Sequence, residues 1–353
     1  MRRWKAFTAL CSYLQQGMLA GAPGGGQPGA PWPMLIAAAK AQCAIPALAW
    51  CARGDSSIPQ ELRGYFEAVR RLNGKRNDRL CRMLEHVVAS LNAIEIEPTL
   101  LKGAANLMSG LYPSPAARLV GDLDILVPQE RIEDAAEALL RIGFAFDGRA
   151  DDTHHHLPRM RHGETNIVVE LHRRLTDLDK DLVIPADWVR EHSQPLALRD
   201  LRVRIPSPTA AIGHNVIHDQ INGQGFLTRV EVRQLLDLAL MRARHDRDID
   251  WAELARRFQS RGLQPVLATY LLFDEVFFGQ AAPPEVGAPR VGALGQLRLV
   301  IDFPLTVRAE SKARALAGRW GSTSSHFAEI STIAVSGRRR CRRGRPPSSA
   351  RRR

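Results

Sequence analysis

Two carboxylates stand two residues apart in an apolar run of strand character, Gly121-Asp122-Leu123-Asp124-Ile125-Leu126-Val127. Side chains alternate faces along a strand, so Asp122 and Asp124 would point the same way while Leu123 and Ile125 point into the opposite layer. Two neighbouring anions repel, and hard oxygen ligands of this kind select Mg²⁺ or Mn²⁺. The spacing therefore predicts a divalent metal site, although Asp-x-Asp pairs also occur on solvated strand edges and in loops.

A third carboxylate interrupts the next apolar run, Thr165-Asn166-Ile167-Val168-Val169-Glu170-Leu171-His172. Buried carboxylates are rarely left unpaired. If the two strands are neighbours, Glu170 completes a cage of three carboxylates that is open on one side. Two metals held there could bridge the attacking and departing oxygens of an in-line phosphoryl displacement.

The order of these elements resembles the nucleotidyltransferase superfamily that includes DNA polymerase beta, and more closely its bacterial branch of uncharacterised nucleotidyltransferases. The segments that carry the resemblance are Leu101-Lys102-Gly103-Ala104, Leu111-Tyr112-Pro113, Arg118, the run from Gly121 to Val127, Gly143-Phe144, Val169-Glu170-Leu171-His172 and, more weakly, Val232–Ala239 and Trp251. They lie between residues 34 and 280. The resemblance implies a mixed-sheet catalytic core in which Asp122, Asp124 and Glu170 are catalytic and hold the metals.

The resemblance also implies nucleotide-binding residues ahead of the carboxylates. A helix start near Lys102-Gly103 would meet the triphosphate through backbone N–H groups and the lysine charge. Many superfamily members have a Gly-Ser pair there, whereas this chain has Gly103-Ala104 and so lacks the serine hydroxyl. Arg118 could grip a phosphate bidentately or pair with the carboxylates, and Lys102 could equally be a surface lysine.

Three histidines are candidates for the acceptor site. His156 ends a run of three histidines that has no cysteine or fourth ligand nearby, which favours polar residues near the cleft over a zinc site. His172 follows Glu170, and His214 lies in a segment where the resembling family also has a histidine. His214 and His218 have the spacing of a zinc protease motif, but the general-base glutamate is absent.

The elements that would position these residues form an α+β fold: a small mixed β-sheet core flanked by N- and C-terminal helical subdomains. The predicted parts are a flexible segment 1–33, a helical subdomain 34–97, the nucleotidyltransferase core 98–205, a helical subdomain 206–280, an uncertain segment 281–336 and a disordered arginine-rich tail 337–353. Helices are predicted at about 60–73, 78–91, 103–109, 128–141, 209–221, 231–244, 251–261 and 264–278, and strands at 144–147, 154–160 and 166–172. An ion pair between Arg233 and Asp237, four residues apart, is also expected.

Composition restricts the remaining possibilities. The chain has 353 residues and a formal charge of +12, of which nine arginines in residues 337–353 supply most. Nucleic acid is therefore an expected partner only through this tail. Five cysteines without paired short spacing favour a reduced compartment, and no apolar run is long enough to span a membrane, so a cytoplasmic protein is expected.

The function that these features predict is metal-dependent transfer of a nucleoside monophosphate from a nucleoside triphosphate to an acceptor, with release of pyrophosphate. Mg²⁺ or Mn²⁺ is the expected cofactor, and the acceptor could be a small molecule, a saccharide or a protein. One alternative is a glycosyltransferase with an Asp-x-Asp motif, which would need a Rossmann-like half before the motif. Another is a non-catalytic protein that binds a nucleotide or, through its basic tail, a polyanion.

Overall fold

The computed structural model describes residues 2–21, 28–148, 155–176, 183–222 and 230–303 of the protein. Within these ranges the α-helices are α1 (Arg2–Leu14), α2 (Trp32–Ala41), α3 (Ile45–Cys51), α4 (Gln60–Asn92), α5 (Lys102–Met108), α6 (Ile132–Arg141), α7 (Ala186–Glu191), α8 (Pro208–Ile217), α9 (Val232–His245), α10 (Trp251–Gln259), α11 (Gln264–Phe278) and α12 (Ala293–Asp302). The strands are β1 (Thr99–Leu100), β2 (Leu123–Leu126), β3 (Phe144–Phe146), β4 (Met160–His162), β5 (Val168–His172), β6 (Ser193–Pro195) and β7 (Arg204–Pro206). The α+β class is confirmed.

The strands form one mixed sheet in the order β3-β4-β5-β2-β1-β7-β6. Its centre is the parallel pair β2 and β5, in which Asp124 lies opposite Glu170. Parallel neighbours need a crossover connection, and here the chain passes through α6, β3 and β4 between them. The strands β4 and β5 form a hairpin, because they pair in antiparallel fashion.

The two faces of β2 pack against different layers. Leu123 and Ile125 are fully buried in a cluster with residues of α4 and α6, such as Val87 and Leu139. Leu126, on the face that also carries Asp124, belongs to a second cluster formed largely by helices. The carboxylate therefore faces the helical side of the sheet.

The helical cluster joins the two ends of the described chain. Phe7 of α1 packs edge-on against Phe277 of α11, with ring centroids 5.2 Å apart. The described part of the predicted segment 1–33 thus includes helix α1, whose apolar residues pack against α11. The flexibility of the segment stays a prediction. The chain packs as one compact unit up to Asp302. The subdomain boundaries near residues 97 and 205 therefore stay predictions.

Two elements differ from their predicted bounds. A single helix, α4, replaces the two predicted at 60–73 and 78–91, because Asn73 and Asn77 donate hydrogen bonds to the carbonyl of Arg118 and hold the helix across Gly74. The predicted strand 154–160 is replaced by β4, which begins at Met160. Pro158 cannot donate a ladder hydrogen bond. Among the described residues of the predicted segment that precede β4, strand-like pairing is limited to the isolated bridge between His156 and His172.

Several expectations fall outside the described residues. They concern His154, most of the segment 281–336, and the tail 337–353. Among the helices that the structure describes, none is long and apolar enough to cross a membrane.

Candidate active site

The predicted carboxylates converge at the centre of the sheet. Asp124 and Glu170 lie opposite each other on β2 and β5 and are buried, with 3% and 5% of their surface exposed. Asp122 immediately precedes β2 and is partly buried. Directly opposed residues of neighbouring strands share a face, so Asp124 and Glu170 point to the same side of the sheet.

His172, predicted for the acceptor site, lies among these carboxylates. It follows Glu170 by two residues on β5 and is fully buried. Its Nε2 atom is 2.9 Å from Asp124 Oδ1 and 3.7 Å from Glu170 Oε2. Ligand atoms of the three side chains lie within 4.8 Å of one another, a separation that one metal ion could span.

Two basic side chains balance the carboxylates. Lys102 Nζ is 2.7 Å from Asp124 Oδ1, and Arg159 Nε is 2.6 Å from Glu170 Oε1. Arg159 was not predicted as a site residue, since no local pattern distinguishes it from other arginines of the chain. Its position depends on the antiparallel pairing of β4 with β5.

The charges of the group set its protonation. Burial, assisted by Asp124 and Glu170, raises the pKa of Asp122 to about 6. Burial alone would also raise the pKa of Asp124, but Lys102 and His172 hold it well below its ordinary value. The nearby imidazole of His172 likewise opposes burial and lowers the pKa of Glu170 to about 2. Asp124 and Glu170 are therefore ionised at neutral pH.

The imidazole of His172 responds in the opposite direction. Burial and the nearby charge of Lys102 would lower its pKa, but the hydrogen bond to Asp124 and the nearby carboxylate of Glu170 raise it above the ordinary value. This favours the charged imidazolium, which donates to the carboxylates. His156 lies farther out, with Nε2 4.0 Å from Glu170 Oε2 and its ring centroid 5.3 Å from that of His172.

Gly103 follows Lys102 in the first turn of α5 and is buried. A Cβ atom at this position would lie 2.8 Å from Nη1 of Arg118 and 3.2 Å from Cγ1 of Val120. Close packing therefore explains the glycine here. A phosphate contact of Gly103 stays a prediction.

Arg118 is committed to a buried ion pair. Its Nε and Nη2 atoms donate to the two carboxylate oxygens of Asp237 at 2.9 and 2.5 Å, and only 3% of Arg118 is exposed. Phosphate binding by Arg118 stays a prediction, and in this structure the guanidinium makes its bidentate bond to a carboxylate. The expected ion pair between Arg233 and Asp237 is wrong, since Arg233 instead contacts Glu231 at 2.7 Å.

Arg76 of α4 is a further residue that the sequence analysis missed. It donates to the carbonyls of Val120 and Gly121, the latter at 3.1 Å, and so holds the segment that enters β2. Its charge also acts on Asp122. Only the packing of α4 beside this segment reveals the contact.

His214, like Arg118, is a predicted site residue that lies away from the carboxylate cluster. It is on α8 and lines an open pocket that also reaches Lys102. The structure thus brings Asp122, Asp124, Glu170, His172 and Lys102 together, with His156 at their edge. Arg118 and His214 lie outside this group: Arg118 is paired with Asp237, and His214 lines the pocket.

The carboxylate cluster fits a divalent cation. Oxygen donors of Asp124 and Glu170 converge from adjacent strands, with Asp122 beside them, and hard oxygen ligands suit Mg²⁺ and Mn²⁺. The two basic side chains that contact Asp124 and Glu170 occupy positions where positive charge is favoured.

Three solved structures resemble the chain at low identity. The solution structure of the antibiotic-resistance factor ANT(2'')-Ia is 13% identical, with 53% of this chain and 94% of that chain covered and a TM-score of 0.38. The crystal structure of ANT(2'')-Ia with adenylyl-2''-tobramycin is 11% identical, with 55% and 98% covered and a TM-score of 0.35. An antigenic nucleotidyltransferase-like protein from Paracoccidioides brasiliensis is 17% identical, with 54% and 92% covered and a TM-score of 0.33.

No curated protein matches the chain in sequence. A family model described as uncharacterised nucleotidyltransferase does match it, over residues 28–279. Because this match covers more than half of the chain, the protein belongs to the uncharacterised nucleotidyltransferase family and is an enzyme of the transferase kind.

Proposed function

We propose that the protein transfers a nucleoside monophosphate from a nucleoside triphosphate to an acceptor, with release of pyrophosphate and with Mg²⁺ or Mn²⁺ as cofactor. The observation that carries the proposal is the opposition of Asp124 and Glu170 across β2 and β5, with Asp122 two residues ahead of Asp124. The family supports nucleotidyl transfer in general, and the function itself is inferred from this site.

Each charged residue would have a defined part. Asp122, Asp124 and Glu170 would hold the divalent cation, which would supply neutralisation of the charge that develops on the phosphoryl oxygens. Lys102, whose Nζ is 2.7 Å from Asp124, is the cation best placed to pair with a phosphate oxygen. Arg159 and His172 orient Glu170 and Asp124 through their hydrogen bonds.

The chain before the motif argues against a glycosyltransferase. Such an enzyme needs a Rossmann-like half ahead of its Asp-x-Asp pair. In the described residues that precede Asp122, helices α1 to α5 are accompanied by one strand of two residues, β1.

The test is metal-dependent binding and turnover of the four common nucleoside triphosphates. We expect Mg²⁺ or Mn²⁺ to promote binding of at least one of them, and Asp124→Asn to reduce nucleotidyl transfer by a factor of about 10³ or more, because it removes a charged ligand. Asp200→Asn is the matched control, since Asp200 is exposed and lies in a turn away from β2.

Two results would contradict the proposal. One is transfer that persists in Asp124→Asn while the control behaves like the wild type. The other is no nucleotide binding in either metal, combined with nucleic-acid binding that deletion of residues 337–353 removes, which would favour the non-catalytic alternative.

A further inference from the structure

A pocket adjoins the carboxylate site on the side of Lys102. It lies between α5, α8, α9 and the β6–β7 hairpin and is open to solvent. Lys102 lines the pocket, and its Nζ also contacts Asp124. A molecule in the pocket would therefore lie next to the candidate metal site.

His214 is a buried hydrogen-bonding group on the wall of this pocket. Only 2% of the residue is exposed, and its Nε2 atom has no hydrogen-bond partner among the described residues. Buried polar atoms are almost always paired, so an unpaired one on a pocket wall indicates a ligand that supplies the partner. Burial and the charge of Lys102 hold the pKa of His214 well below its ordinary value, so the imidazole is neutral.

Most of the other polar lining is uncharged and can both donate and accept hydrogen bonds. These side chains are Asn106, Ser109, Gln194, Asn215 and Gln234. Amide and hydroxyl groups of this kind match the hydroxyl groups of a polyol or saccharide.

The charges of the lining disfavour a cationic ligand. Asp237 is the single carboxylate among the lining residues described, and Arg118 already neutralises it through two hydrogen bonds. Lys102 would repel a cation, and an anion would find its ammonium engaged by Asp124. An uncharged ligand meets neither penalty.

We infer, resting on the proposed function, that this pocket binds the acceptor and that the acceptor is an uncharged polyhydroxy compound, a saccharide or a polyol, with one hydroxyl hydrogen-bonded to His214 Nε2. A second hydroxyl oxygen of the acceptor forms a bond to the α-phosphorus. The bond from that phosphorus to the departing oxygen breaks, pyrophosphate leaves with its electron pair, and the hydroxyl proton passes to solvent.

Ligand-observed NMR on the full chain, with Mg²⁺ and a non-hydrolysable ATP analogue, tests the charge selectivity. The uncharged probes are D-glucose, N-acetylglucosamine and myo-inositol, and the cationic probes are glucosamine and tobramycin. We expect at least one uncharged probe to bind and the cationic probes to bind at least about tenfold more weakly. Tighter binding of a cationic probe, or binding of none of the uncharged probes, would overturn the inference.

Variants of the pocket test the site itself. His214→Phe removes the hydrogen-bonding atom and should weaken the best uncharged probe about tenfold or more, whereas His214→Gln restores an amide near that atom and should stay within about threefold. Ala211→Phe should block the pocket, because Ala211 is one of its lining residues. Ala37→Phe, at an exposed position of α2, is the matched control and should bind the probe as the wild type does.

Binding of a labelled nucleoside triphosphate, measured in parallel, distinguishes failure of the acceptor assignment from failure of the proposed function. We expect it to be unchanged in all four variants. Nucleotide binding that falls together with probe binding in His214→Phe would assign the pocket to the nucleoside and overturn the acceptor assignment. Wild-type protein that binds no nucleotide in Mg²⁺ or Mn²⁺ would instead contradict the proposed function.

Discussion

At the scale of single residues, Lys102 would link the candidate metal site to the nucleotide under the proposed function. Its ammonium lies 2.7 Å from Asp124 Oδ1, the oxygen that also accepts a hydrogen bond from His172. A divalent cation would compete with the ammonium for this oxygen. The backbone of Lys102 has a φ of 44°, which is uncommon for a residue with a side chain and is often associated with functional sites.

Replacing Lys102 by methionine should therefore change metal and nucleotide binding in opposite directions. Mn²⁺ should bind as tightly as in the wild type or more tightly, because its competitor for Asp124 is removed, while the nucleotide should bind about tenfold more weakly, because a phosphate loses its cation. Mn²⁺ titration followed by electron paramagnetic resonance and calorimetry with the nucleotide would measure the two effects. Lys75→Met, at an exposed position of α4, provides the control. Weaker Mn²⁺ binding with unchanged nucleotide binding would contradict the assigned role of Lys102.

At the scale of elements, one buried ion pair connects the sheet to the C-terminal helices. Arg118 lies in the segment before β2 and Asp237 lies on α9, and their side chains are 3% and 2% exposed. Tyr112 adds a hydrogen bond of 2.8 Å to Asp237. Because Arg118 also packs against Gly103, the pair fixes the start of α5 relative to β2.

Asp237→Asn should destabilise the protein by about 3–5 kcal/mol, since it leaves the buried guanidinium without its counter-charge. The double variant Arg118→Met with Asp237→Leu should recover a large part of this loss, because no buried charge remains. Urea unfolding of the wild type, of Arg118→Met, of Asp237→Leu and of the double variant gives the coupling energy.

The exposed pair of Arg131 and Asp134 serves as the comparison for that cycle. Asp134→Asn should change the free energy of unfolding by less than about 1 kcal/mol, because exposed ion pairs are screened by solvent. An equally small effect of Asp237→Asn would show that the buried pair does not hold the elements together.

At the scale of the whole molecule, two adjacent buried groups should make opposite contributions to the pH dependence of stability. They lie in the π-helical segment His218–Asn222 that follows α8. Burial lowers the pKa of His218 to about 3, where Lys102, Asp124, Arg233 and His172 also act on it. Burial, assisted by Glu231, raises the pKa of Asp219 to about 7 despite hydrogen bonds from Gln220 and Tyr270.

The signs follow from the two shifts. Because the pKa of His218 is lowered in the folded protein, its contribution to the free energy of unfolding is fully present above about pH 6.5, the pKa of the unfolded chain. This contribution is lost as the pH falls toward 3. Because the pKa of Asp219 is raised in the folded protein, its contribution to the free energy of unfolding is fully present below about pH 4 and is lost as the pH rises through 7. Between about pH 4 and 6.5 the two effects largely cancel in the wild type.

Single substitutions should reveal the two halves of this balance. When the pH falls from 8 to 5, the free energy of unfolding of Asp219→Asn should decrease by about 3 kcal/mol relative to that of the wild type. Over the same range, the free energy of unfolding of His218→Gln should increase by about 2 kcal/mol relative to that of the wild type. Chemical unfolding at several pH values measures both slopes, with His192→Gln, outside this segment, as the control. Parallel pH profiles for all four proteins would refute the opposed titrations.

Sequence reasoning succeeded where the physical cause is local. Leu123 and Ile125 alternate with Asp124, and this period of two specifies a strand with one apolar face wherever the strand lies. The hairpin before β5 and the helices α9 to α11 are likewise marked by short-range signals. The burial of Phe7 could not be predicted from neighbouring residues, because its partner Phe277 lies near the other end of the described chain.

The sequence by itself determined the α+β class and the placement of Asp122, Asp124 and Glu170 in or directly beside strands. Both depend on strand alternation and composition, which are properties of near neighbours. The tertiary structure alone decided which charges meet. It paired Arg118 with Asp237, brought Arg159 to Glu170 and placed His172 between two carboxylates. These partners are separated along the chain or depend on strand pairing, and a buried charge acquires its partner only when packing excludes water around it.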